Sequence, residues 1–133
     1  MIKALDKLDV ITLFVEDVPS SKAFYQSIFG LDIVYEDDVS AVVKLSNVMI
    51  NLLQLGQALE LVQPSPVGAR DSGARFLLTI EVDDADLTCA RLELHGVKLL
   101  NGPMDRPWGR RTAAFADPEG NIWEIAQVLT RAS

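Results

Sequence analysis

The chain has 133 residues, 49% of them hydrophobic and 23% charged, which fits a single globular domain (1–133) with one core and room for a ligand cavity. Twelve basic residues against nineteen acidic ones give a formal net charge of −7, which argues against nucleic acid and against an anionic membrane surface as partners, because both are bound by neutralising phosphate. No stretch approaches the roughly 18–20 consecutive apolar residues of a membrane helix, and the first seven residues lack the apolar run of a signal peptide, so a cytoplasmic location is expected.

In chain order, residues 10–15 are rich in β-branched and aromatic side chains and read as a strand. Pro19, Ser20 and Ser21 suit a helix start. The spacing of Ala23, Phe24, Ile28 and Phe29 predicts a helix over 19–29 with those residues on its apolar face. Gly30 ends that helix and a strand follows to Val34; two further strands are expected at 41–45 and 48–54. Residues 57–63 form a short apolar piece, and 64–73, rich in proline, glycine and polar residues, read as a linker.

The order then begins again. A strand from Leu77 leads to a helix over 86–95, with Leu87, Ala90, Leu92 and Leu94 as its apolar contacts. Cys89, the only cysteine, falls inside this helix as a small buried residue and excludes an internal disulfide. Gly96 opens a strand to Leu100, the segment from Met104 to Arg111 reads as a loop, and strands are expected at 111–116 and 121–127. Asp117-Pro-Glu-Gly-Asn121 joins the last pair with turn chemistry. Placing Val15 on Val82 brings Gly30 within one residue of Gly96. Residues 8–63 and 74–129 are therefore two βαβββ repeats, and the fold class is α+β.

Thr12-Leu-Phe-Val-Glu-Asp17, Ser21-Lys-Ala-Phe-Tyr25, Phe29-Gly-Leu31, Val82-Asp-Asp84, Pro107-Trp-Gly109 and Asp117-Pro-Glu-Gly-Asn121, in this order, cover almost the whole chain. With these motifs the sequence resembles the vicinal oxygen chelate superfamily, which holds glyoxalase I, extradiol dioxygenases and bleomycin resistance proteins. The resemblance implies curled mixed sheets around a cavity, and a homodimer. It also implies that metal-dependent members bind a divalent ion at four inward positions, which here fall at Val10, Asn51, Leu77 and Glu124. Two of these are aliphatic and Asn51 offers a neutral carbonyl, so no metal and no cofactor is expected. Glu81 shares strand parity with Leu77 but lies four residues on, roughly 13 Å along a strand.

Strand parity turns Val10, Thr12, Phe14, Met49, Asn51, Leu53, Leu77, Thr79, Glu81, Ile122, Glu124 and Ala126 inward, a mostly apolar lining. Glu124 is the exception, since an ionised carboxylate among apolar groups needs a partner. Three roles stand open for it: pairing with an arginine such as Arg111, binding a cationic or hydrogen-bond-donating ligand, or catalysis as a general acid or base. Trp108, between Pro107 and Gly109, offers a stacking surface, and Trp123 has the opposite parity and belongs in the core. The expected ligand contacts are thus Phe14, Asn51, Leu77, Trp108, Arg111 and Glu124. The leading expectation is a metal-free protein that binds an aromatic or cationic small molecule, in the manner of antibiotic-sequestering relatives. The alternatives are a superfamily lyase, isomerase or dioxygenase using Glu124, and a structural dimer module without a ligand.

Overall fold

A computed structural model describes residues 2–129; residue 1 and residues 130–133, at the ends of the expected 1–133 domain, lie outside the described residues. The elements run β1 (Val10–Val15), α1 (Val18–Ser27), β2 (Ile33–Glu36), β3 (Ser40–Lys44), β4 (Met49–Gln54), α2 (Leu55–Val62), β5 (Leu78–Glu81), α3 (Ala85–Leu94), β6 (Leu99–Arg106), β7 (Arg110–Ala116) and β8 (Ile122–Val128). They make two four-stranded mixed sheets, ordered β1-β4-β3-β2 and β5-β8-β7-β6. In each sheet the first and last strands of the repeat pair in parallel and the others pair antiparallel. The chain divides into two compact units, one up to Arg70 and one from Asp71.

The repeat is exact at the helix starts. Asp17 accepts the Ser20 backbone N–H at 3.0 Å, and Asp84, in the same place of the second unit, accepts the Leu87 N–H at 3.0 Å. Each satisfies an otherwise orphaned donor and stabilises its helix by about 1 kcal/mol. Gly30 and Gly96 leave the helices at φ 68° and 81°, where a side chain would be strained.

The helix faces agree with the expected ones at Cys89 and Leu92 and differ elsewhere. On α3 the buried residues are Ala85, Cys89 and Leu92, spaced one helical stripe apart, while Leu87 is 47% and Leu94 85% exposed. On α1 they are Val18, Ser21 and Tyr25, and Ala23 is exposed. The Tyr25 ring packs edge-on against Phe24 and tilted against Phe29, so the expected aromatic residues stay together around a tyrosine. The apolar piece expected at 57–63 falls on a helix, α2, that continues straight from β4 and ends at Val62.

Alternation sorts each sheet into two faces. In the first unit Leu13, Val15, Ile50, Leu52, Ala41 and Val43 are buried on one face. In the second, Ala113, Phe115, Trp123 and Ile125 are buried on the face that packs against α3. Each large side chain so buried contributes roughly 1.5–3 kcal/mol.

Candidate functional site

In the second unit the face turned away from α3 carries most of the chain's unusual chemistry. Arg111 and Gln127 mark the α3 side: Arg111 Nη1 donates to Asp86 Oδ2 at 3.0 Å, and Gln127 Oε1 accepts the Ala85 N–H at 2.8 Å, both partners being α3 residues. Glu124, Thr79, Ala114, Thr112, Ala126 and Arg110 have the opposite parity and share the other face.

Glu124 stands directly across from Thr79 in the parallel β5–β8 pair, and Thr79 Oγ1 donates to Glu124 Oε1 at 3.0 Å. Among the described residues no arginine or lysine pairs with this carboxylate. The expected partner, Arg111, is on the wrong face: its Nε donates to Asp105 Oδ1 at 2.7 Å in addition to its Asp86 contact. The hydrogen bond from Arg111 holds the Asp105 carboxyl below the usual carboxylate range, and the same contact pushes the Arg111 guanidinium up. Arg111 is thus a structural clamp between β6, β7 and α3 rather than a companion of Glu124.

The segment from Met104 to Arg111, expected as a loop, is a hairpin. β6 runs to Arg106, Pro107-Trp-Gly109 turns, and β7 starts at Arg110. Pro103 disguises the strand in the sequence, yet proline is accommodated at a bulge, where the β6–β7 register shifts between Asn101 and Met104. Gly102 makes that bulge possible: at φ 84° a Cβ there would sit 2.3 Å from the Thr112 carbonyl oxygen.

The hairpin brings forward a residue that strand parity alone missed. Arg106 Nε donates to Thr112 Oγ1 at 2.9 Å and its Nη2 to Asn101 Oδ1 at 3.2 Å. Its Cζ lies 6.0 Å from the centroid of the Trp108 ring, within cation–π range. Trp108 itself is 67% exposed. Arg110 stands across from Arg106 and approaches Glu81 at 3.9 Å. The face expected to be apolar is therefore largely polar in this unit, because β6 and β7 supply arginines, a threonine and an asparagine.

The remaining expected residues fall as follows. Leu77 precedes β5 and is 49% exposed. Phe14 and Asn51 belong to the first unit, on the face opposite the buried Leu13 and Leu52; Asn51 stands across from Thr12, as Glu124 does from Thr79. Asn51 Oδ1 is buried without a hydrogen-bond partner among the described residues. The neighbours of Asn51 on that face, Val10, Phe14, Met49 and Val42, are apolar, as expected.

The family model described as the glyoxalase/bleomycin resistance protein/dioxygenase superfamily matches residues 7–125. The chain belongs to this superfamily. A relative, the uncharacterized protein YraH of Bacillus subtilis (strain 168), is 34% identical over 127 residues, covering 92% of this chain and 99% of YraH. The crystal structure of a glyoxalase/bleomycin resistance protein/dioxygenase from Nocardioides superimposes with a TM-score of 0.82 over 96% of this chain and 86% of that one; at 22% identity this shows the fold. TnmS3, an antibiotic binding protein from Streptomyces sp. CB03234, has a TM-score of 0.70 and 29% identity, with 94% of this chain and 98% of TnmS3 covered.

The metal positions that the superfamily resemblance implies do not suit a metal here. Val10 and Leu77 carry no donor atom, Asn51 brings a neutral amide among apolar neighbours, and Glu81 beside Glu124 is engaged by Arg110. Glu124 is left as a single carboxylate, where a zinc site takes three or four protein ligands. No helix among the described residues is long and apolar enough to cross a membrane.

Proposed function

We propose that this superfamily member is a metal-independent binding protein for a planar aromatic small molecule with a cationic or hydrogen-bond-donating group, received on the face of the second unit that carries Glu124 and Trp108. The observation that carries this reading is the Glu124 carboxylate, oriented by Thr79 and lacking a cationic partner among the described residues. A ligand N–H or cation supplies that partner. The exposed Trp108 ring offers the stacking surface. TnmS3, which binds an antibiotic on the same fold, supports the same class of activity. A homodimer in the cytoplasm completes the reading, and light scattering on the purified protein tests its assembly.

The experiment is a titration of chelator-treated protein with 9-aminoacridine, a planar aromatic cation, followed by dye fluorescence. Saturable binding is expected, weakened by about tenfold or more in Glu124→Gln, the worth of one charge-assisted hydrogen bond. Absence of saturable binding, or binding that appears only with added Mn²⁺, overturns the proposal.

A further inference from the structure

We infer that Arg106 forms an anion subsite beside the Glu124 site, so that the ligand carries a carboxylate or comparable anionic oxygen group as well as its aromatic ring. The inference rests on the proposed binding function and adds the second half of the ligand's charge pattern.

Three observations meet at Arg106. Its charge is uncompensated by protein: among the described residues no carboxylate pairs with it, whereas Arg110 has Glu81 and Arg111 has Asp105 and Asp86. Its orientation is nonetheless set, because the two groups that hold it, Thr112 Oγ1 and Asn101 Oδ1, are neutral acceptors on β7 and β6. They occupy two of the five guanidinium N–H donors and leave three, in a planar fork that matches a carboxylate. A second arginine, Arg110, stands directly across the β6–β7 pair, with Glu81 no nearer than 3.9 Å. Like charges in that relation repel, and an arriving anion relieves both.

The spacing sets the ligand. Asn101, Ala114, Glu124 and Thr79 form one row across β6, β7, β8 and β5. Asn101, which holds the Arg106 fork, is therefore two strands from Glu124, about 10 Å at ordinary strand spacing. Only the methyl group of Ala114 stands between them in the row. Trp108 stacks against the Arg106 end. A fused aromatic ring with an amino group toward Glu124 and an anionic oxygen toward Arg106 spans that distance, and a simple aromatic cation uses only half of the site.

The test compares three dyes on the intact, chelator-treated protein: 9-aminoacridine, its 4-carboxylate, and the methyl ester of that acid. The carboxylate is expected to bind about tenfold more tightly than the ester, and the preference to disappear in Arg106→Gln while 9-aminoacridine still binds. Arg106→Lys, which keeps the charge and loses the fork, is expected to retain part of the preference. The acid–ester comparison on the unaltered protein needs no variant, so a misfolded Arg106→Gln leaves the inference exposed to refutation. Equal binding of acid and ester, with 9-aminoacridine bound, overturns the anion subsite and leaves the Glu124 site standing. Failure of all three dyes to bind overturns both.

Discussion

Thr79 donates its hydroxyl hydrogen to Glu124 across the parallel β5–β8 pair, and at the same place of the first unit Thr12 faces Asn51, whose side-chain oxygen is buried without a partner among the described residues. One repeat keeps a solvated, oriented carboxylate where the other keeps an unused amide oxygen. The two units have diverged in chemistry at a position where their backbones still agree.

Thr79→Val removes the donor and leaves the carboxylate in place. The pair is exposed, so unfolding free energy is expected to fall by only about 0.5 kcal/mol. Affinity for 9-aminoacridine is expected to fall about threefold, less than in Glu124→Gln. Chemical denaturation and dye titration read the two effects separately, and an unchanged affinity in both variants removes Glu124 from the binding site.

Asn51→Leu replaces a buried, unsatisfied oxygen with an apolar group of similar size among Val10, Phe14 and Val42. Stability is expected to rise by about 1 kcal/mol, because an unpaired buried acceptor carries a desolvation cost with no return. A loss of stability in urea unfolding contradicts the idle-oxygen account.

Gly102→Ala forces a side chain into φ 84° and against the Thr112 carbonyl. A cost of at least about 2 kcal/mol is expected from backbone strain and the displaced β7 strand. Thr112 also holds Arg106, so the variant is expected to lose the acid-over-ester preference at temperatures where circular dichroism shows it folded.

Asp105 titrates below its unfolded value because Arg111 donates to it. A carboxyl depressed in the folded state stabilises the protein above its unfolded pKa, near 3.9, and that contribution is lost as pH falls through the lower folded value. Asp105→Asn is therefore expected to melt below the parent at pH 7, with the gap narrowing as the pH is lowered through the folded value. A difference in melting temperature that does not narrow would show that the substitution acts through packing.

Much of the second helix was legible except for its direction. The sequence contains Leu87, Ala90, Leu92 and Leu94, and any of several stripes through them looks apolar. The buried stripe is Ala85, Cys89 and Leu92, which puts two small side chains and one leucine against a sheet already filled by Phe115 and Trp123. Volume across the interface chose the stripe, and a single helix carries no record of the volume it will meet.

Amino-acid sequence alone determined the two βαβββ repeats, the glycines that end their helices, and the placement of Glu124 and Trp123 on opposite faces of one strand. Those features rest on local chemistry: turn residues, the left-handed freedom of glycine, and the two-residue period of a strand. Only the tertiary structure decided which arginine shares the face of Glu124. Arg111 and Arg106 lie five positions apart in the chain; the β7–β8 register puts Arg111 on the α3 side, and the β6–β7 register, shifted at the Gly102 bulge, sets the face of Arg106. Register is a property of two strands meeting, so Arg106 joined the site only when β6 and β7 were seen side by side.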